Sequence, residues 1–238
     1  MKIVFAGDSW CKYMPAWTGN VGLAKHLERI LDKPIIDIGH PGDSTQRLMS
    51  IARRRELEKN LRGCDVLCLS SGGDSIAGEQ AVLWLHDNIG QSSKYATDEI
   101  MLTNVVNLVV GCYQDICLLR DEIAPNCKII SHTYDCPPVN MLGKGLFGFG
   151  PWLKPSLDYC GWKNYNDQHD IVKNWLTFLT KRLVFASQQC KGWKVLNTLG
   201  TLSKSDWHNE LHPNQDGFKK IAKLFAHEIK EICDERSG

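Results

Sequence analysis

Two short stretches at opposite ends of the chain hold residue types that work together in nucleophilic chemistry. Near the start, the apolar run Ile3-Val4-Phe5-Ala6 leads into Gly7-Asp8-Ser9-Trp10. Near the end, Asp206-Trp207-His208-Asn209-Glu210-Leu211 leads into His212-Pro213. A serine hydroxyl is a poor nucleophile until a neighbouring base takes its proton. An imidazole can do so near neutral pH. A glycine at a strand end lets the chain turn sharply, which would present Ser9 and its backbone N–H at the edge of a sheet. Pro213 pre-sets the backbone where a last helix begins, holding His212 in place. The Gly-Asp-Ser triplet alone is ordinary turn composition; its pairing with His212-Pro213 gives it meaning.

The elements that must bring these ends together follow from apolar periodicity. Strands are predicted at 3–9, at Ile35-Ile36-Asp37-Ile38, at 65–71, at Lys128-Ile129-Ile130-Ser131-His132 and at Lys194-Val195-Leu196. Helices are predicted at 19–32, 44–62, about 98–123, about 166–190 and from near Asn214 to about 233. Strands alternating with helices imply a parallel sheet of about five strands with helices on both faces, an α/β/α arrangement. No linker or repeat interrupts the pattern, so residues 1–238 are expected to form a single domain. Ligands bind such sheets at the carboxyl ends of the strands. There Asp8-Ser9, Gly42-Asp43, Gly72 to Ser75 and His132 should converge. Residues 135–165 break the alternation with Pro137, Pro138, Pro151, Pro155, several glycines and Phe147, Phe149, Trp152, Tyr159 and Trp162. Long loops of this kind are usually functional. The segment is expected to fold as a flap over the site, the alternative being a cover for the sheet edge.

Together these residues resemble the SGNH hydrolases, also called the GDSL family, and the resemblance runs from Gly7 to about Phe218. Trp207-His208-Asn209-Glu210-Leu211-His212-Pro213 is similar to the Trp-x-Asn-Glu-Leu-His-Pro signature of a bacterial subgroup, and Gly150-Pro151-Trp152-Leu153 to a stretch in that subgroup's insertion. The resemblance implies a flavodoxin-like sheet and hydrolysis of a carboxylic ester without a cofactor or metal. It implies Ser9 as nucleophile, His212 as base, and Gly42, in Gly39-His40-Pro41-Gly42-Asp43-Ser44, as a backbone donor to the oxyanion. The substrate class expected is a small-molecule or glycan ester. The same residues would serve an acyltransferase, and a decayed site would leave a carbohydrate- or lipid-binding module.

Two positions depart from the family pattern. Where the subgroup reads Ser-Gly-Gly-Gly-Asn-Asp-Ile, this chain reads Ser70-Ser71-Gly72-Gly73-Asp74-Ser75-Ile76, placing Asp74 in the position of an oxyanion-binding asparagine; aligned instead with Asp74 on the subgroup's aspartate, Gly73 takes that position and the donor is lost all the same. An ionised carboxylate offers no donor there and would repel the oxyanion. The site is then weakened, Asp74 is protonated, or a neighbour such as Ser75 or a backbone N–H substitutes. The triad acid is usually three residues before the histidine; that position holds Asn209. Asp206 is taken as the candidate partner of His212, with Glu210 and a backbone carbonyl left open.

Composition narrows the alternatives. A formal net charge of +1 gives no bulk electrostatic reason to bind nucleic acid or an anionic membrane. No segment is expected to reach the length of a membrane span, and the apolar start is too short for a signal h-region, which suggests a cytoplasmic protein. The ten cysteines form no Cys-x-x-Cys pair and are expected to be reduced and mostly buried. His208 and His212 flank Glu210, but Pro213 keeps both from one helix face, so no metal site is expected.

Overall fold

The computed structural model describes residues 1–13, 19, 21–139 and 150–237. Five parallel strands, β1 (Ile3–Gly7), β2 (Ile35–Gly39), β3 (Val66–Ser70), β4 (Lys128–His132) and β5 (Trp193–Leu196), lie in the order β2-β1-β3-β4-β5. β1 and β3 are central and buried at every position, while the edge strand β2 is open at Ile36 and Asp37. That contrast follows from covering both faces of a parallel sheet. The chain first steps from β1 to β2, then returns past β1 to β3, so the strand order reverses between β1 and β3. Doubly wound sheets open a crevice at that point.

Helix α1 (Leu23–Leu31) packs on α8 (Gln215–Ser237). The other helices are α2 (Thr45–Leu48), α3 (Ile51–Leu61), α4 (Gly73–Ile76), α5 (Glu99–Ile123), α6 (Lys154–Tyr159) and α7 (Tyr165–Ser187), with α5 against α3 and α7. Asp98 caps α5 and Asn164 caps α7, each accepting two backbone N–H bonds. The predicted helix at 44–62 is two helices. Ser50 adopts extended backbone after Met49 and starts α3 afresh. α6 lies inside the segment expected to be a flap. α5 also corrects the expectation that no segment reaches membrane-span length, since it is long and apolar enough to qualify. In the fold, its Leu102, Val106, Val109, Tyr113 and Ile116 are buried, and Tyr113 stacks flat on Trp193 of β5.

Candidate active site

Gly7 ends β1 with φ +143°, and a Cβ there would lie 1.8 Å from the Ser70 carbonyl oxygen. Only glycine permits that approach of β1 to β3. The turn is then fixed by Asp8, whose N–H donates to the Ser70 carbonyl and whose carboxylate accepts from the Trp10 N–H at 2.9 Å. Ser9 follows at the carboxyl edge of the sheet and is buried.

At the other end, Asn214 accepts the Asp216 and Gly217 N–H groups at the start of α8. The loop before it folds back so that the His208 N–H donates to the His212 carbonyl. Trp10 joins the two ends. Its indole Nε1 donates to the Leu211 carbonyl at 3.0 Å, and its ring packs on Trp207, Phe218, His132 and Tyr134. Ser9 Oγ and His212 Nε2, 203 residues apart, consequently lie 2.7 Å from each other.

Asn209 sets the state of the imidazole. Its Oδ1 accepts the N–H groups of Leu211 and His212 at 2.9 and 2.8 Å and lies 3.2 Å from His212 Nδ1. Backbone N–H groups only donate, so the amide oxygen must face them. His212 Nδ1 therefore carries the proton, and Nε2 is left bare to accept from Ser9. Asn209 Nδ2 donates to the Tyr13 hydroxyl at 3.3 Å, and the Tyr13 ring stacks on His212 at 4.5 Å. Burial, followed by the nearby His208, pushes the His212 pKa down to about 3, which keeps the imidazole neutral.

Asp206 is elsewhere, and the expectation that it partners His212 is corrected. Its carboxylate closes a turn onto the Ser203 N–H and hydroxyl, both at 2.7 Å, and pairs with Lys220 at 2.7 Å. Ser203 and Lys220 between them engage both of its oxygens. Glu210 is also committed: it accepts the backbone N–H groups of Trp152, Leu153 (2.8 Å) and Lys154 (3.3 Å). Ser75 does not substitute as a donor in the site, because its hydroxyl is held by Thr45 and Gln46.

A cavity of about 30 Å³ lies beside Ser9 in the β1/β3 crevice, with Asp74, Ile76, Leu153, Trp175 and Leu176 among its walls. Asp74 sits in α4, the turn after β3, and its Oδ2 is buried with no hydrogen-bond partner. Burial, then the charges of Asp8 and Asp43, push its pKa up to about 8. Gly42 follows β2 with φ +80°, exposed and outside the cavity wall.

Behind the cavity runs a polar chain that the sequence did not announce. The Tyr134 N–H donates to His132 Nδ1 at 3.1 Å, which leaves the proton on Nε2, and Nε2 donates to Ser70 Oγ at 2.9 Å. Ser70 Oγ donates to Asp8 at 3.0 Å, and the Tyr134 hydroxyl donates to the other Asp8 oxygen. Tyr134 holds φ 61°, a strained conformation for a bulky residue. The ring fits because residue 73 is glycine, where a Cβ would come within 2.9 Å of it. Burial is the main cause raising Asp8 to about 6, against the pull of these donors.

The expected flap divides. Pro137 and Leu153 line the cavity, and the Trp152 ring meets His212 edge-on at 5.2 Å. Trp162 is instead core, fully buried with its indole Nε1 donating to the His86 carbonyl. Residues 140–149, with Phe147 and Phe149, lie outside the described residues. Among the described residues no three His, Cys, Asp or Glu side chains form a metal-binding group. All ten cysteines are free thiols.

No family description matches the chain by sequence, and no curated protein matches it. Solved structures share its fold. A family 3 carbohydrate esterase from Clostridium thermocellum is 14% identical, with 98% of each chain covered and a TM-score of 0.57. A lipase from a goat rumen metagenome is 13% identical over 94% of this chain and 95% of that one, with a TM-score of 0.59. The extracellular lipase of Streptomyces rimosus is 11% identical over 94% of this chain and 98% of that one, with a TM-score of 0.58.

Proposed function

We propose that this chain is a serine ester hydrolase of the SGNH type, in the subgroup that its Trp207–Pro213 stretch resembles. The 2.7 Å contact between Ser9 Oγ and His212 Nε2, with the imidazole tautomer fixed by Asn209, carries the reading. Esterases and lipases among the proteins sharing the fold support it. Ser9 attacks the ester carbonyl while His212 Nε2 takes its proton and passes it to the departing alcohol. A water, activated by the same nitrogen, then cleaves the acyl-enzyme and restores Ser9. The Ser9 N–H is the proposed backbone donor to the tetrahedral oxyanion; Gly42, exposed and outside the cavity wall, would add a second only to an oxyanion held at the cavity mouth. The cavity has room for a small group between the apolar side chains of Ile76, Leu153, Trp175 and Leu176. The acyl group is therefore proposed to be short, with acetyl esters of small molecules or glycans as the substrate class.

One observation favours a second reading. His212 has a neutral amide where a carboxylate would stabilise its cation, as a decayed site retained for carbohydrate or lipid binding would. A fluorophosphonate probe decides between them. Covalent labelling mapped to Ser9, together with turnover of p-nitrophenyl acetate, is expected for the hydrolase. A folded protein that neither labels nor turns over would leave the binding module.

A further inference from the structure

Resting on the hydrolase reading, we propose that Asp74 works as a neutral carboxylic acid, donating a hydrogen bond to the ester carbonyl oxygen as it becomes an oxyanion. Asp74 and Ser9 face one cavity from the two strands that flank the crevice, β3 and β1. A carbonyl attacked by Ser9 therefore develops its charge beside the Asp74 carboxyl.

The state of Asp74 differs from that of its neighbours. Asp8 accepts from Trp10, Ser70 and Tyr134. Asp43 is paired with Arg47 at 3.1 Å and Arg53 at 2.8 Å. Asp135 accepts three backbone N–H groups, from Cys136, Gly200 and Leu202. Glu210 accepts three more. Asp74 alone among the described carboxylates leaves a buried oxygen without a partner. Asp74 is partly exposed, but an ionised carboxylate would leave its buried Oδ2 without hydration or a partner, whereas the acid form carries one proton that needs an acceptor. The groups facing it sharpen the contrast. Asp8 from β1 and Asp43 from the loop after β2 are acidic, Tyr134 after β4 is occupied with Asp8, and no lysine or arginine lines the cavity among the described residues. A developing oxyanion is the acceptor the proton lacks. The pKa of about 8 keeps that proton in place at neutral pH.

The proposal predicts an alkaline limit to activity. As Asp74 ionises, the donor is lost and a repelling charge replaces it. The test is kcat/KM for p-nitrophenyl acetate between pH 5 and 10, corrected for spontaneous hydrolysis, in the wild type, Asp74→Asn and Asp74→Ala, with near-UV circular dichroism as the folding check. The wild type is expected to fall about tenfold for each unit above the Asp74 pKa. Asp74→Asn keeps a donor that does not titrate, so its rate should exceed the wild type about tenfold at pH 9 and show no such fall. Asp74→Ala should lose roughly a hundredfold at pH 7. An alkaline fall retained in Asp74→Asn, or wild-type activity at pH 7 in Asp74→Ala, overturns the role of Asp74 while leaving the hydrolase standing. A wild type inactive toward both the ester and a fluorophosphonate overturns both. If Asp74→Ala does not fold, the comparison of Asp74→Asn with the wild type at pH 9 decides alone.

Discussion

Asn209 Oδ1 and His212 Nδ1 lie 3.2 Å apart, so the proposed base is oriented by a neutral amide locked in place by two backbone N–H groups. The amide fixes the tautomer but gives no charge to stabilise the imidazolium that the proposed attack by Ser9 would form. Replacing a triad carboxylate with an amide elsewhere costs about ten-thousandfold, mostly through the wrong tautomer. Here the tautomer is already correct, and only the electrostatic part is missing.

Asn209→Asp supplies it. The carboxylate can keep both backbone bonds, and the Tyr13 hydroxyl can turn to donate. An opposite charge at this distance raises a histidine pKa by about 1–3 units. Ester turnover is expected to rise about ten- to a hundredfold, on the same scale per pKa unit as the lost charge. The acid limb of kcat/KM should move up in pH with it. A rate and acid limb both unchanged in a folded Asn209→Asp protein would mean that His212 does not act as the base.

Ser9→Ala removes the nucleophile without touching the turn that holds it, because that turn is made by Gly7, Asp8 and Trp10. The protein is expected to fold with an unchanged circular dichroism spectrum, to lose fluorophosphonate labelling, and to fall to the uncatalysed rate on p-nitrophenyl acetate. Undiminished hydrolysis by this variant would place the nucleophile elsewhere.

The sequence made some of this visible and hid the rest for identifiable reasons. Strand ends were readable because apolar runs stop at Gly7, Gly39 and Gly72, and a parallel sheet gathers those ends at one edge. Ser9 and the turn holding Asp74 were therefore nameable in advance, whereas His212 was named from its place before Pro213 and the last helix, and a role for Asp74 only from the family resemblance. The choice among Asp206, Asn209 and Glu210 was not, since it depends on how a seven-residue loop curls. All three have short polar side chains with backbone donors in reach, and only the fold assigns Glu210 to residues 152–154 and Asp206 to Lys220. Tyr134 escaped notice because its role depends on a left-handed backbone and a glycine at 73, distant in sequence. The break between α2 and α3 was hidden because no glycine or proline interrupts residues 44–62 and Ser50 reads equally well inside a helix or capping one.

Stability should respond to pH in a way that isolates Asp74. His212 and His132 are held near 3 by burial, so their unfolded forms bind protons below about pH 6.5 that the folded forms refuse, and stability falls as pH drops through that range. Asp8 and Asp74 act in the opposite sense: the folded state keeps protons that the unfolded state releases above its ordinary carboxylate pKa. Between about pH 4 and 6 the two pairs oppose each other. An unfolded histidine is still half protonated at pH 6.5, so the two histidines go on restoring a little stability up to about pH 7.5, while Asp8 has ionised and Asp74 alone opposes them. Relative to Asp74→Asn, whose histidines titrate alike, the wild type is expected to lose roughly 1–2 kcal/mol from pH 6.5 to 8, or a few degrees of Tm for a chain of this size. A thermal-shift series on the two proteins measures that difference. A wild-type Tm that runs parallel to that of Asp74→Asn from pH 6.5 to 8 would show that Asp74 is ionised in the folded protein.

The two acids near His212 should separate by what their loss damages. Asp206→Asn weakens the pair with Lys220, an ammonium with nearly half its side chain exposed, and slightly loosens the Ser203 turn. It should cost about 1 kcal/mol or less and leave the acid limb of kcat/KM where it was, because Asp206 does not touch His212. Glu210→Gln is different. Three backbone N–H groups converge on its carboxylate, and a glutamine offers one oxygen for them and an amino group that repels the rest. A buried donor left unpaired costs about 1–3 kcal/mol. The segment released carries Leu153, in the cavity wall, and Trp152, against the face of His212. KM for p-nitrophenyl acetate is therefore expected to rise severalfold, with Ser9 still labelled by a fluorophosphonate and the acid limb unmoved. An acid limb that shifts in Asp206→Asn, with KM unchanged in Glu210→Gln, would return Asp206 to the side of His212 and release residues 152–154 from the site.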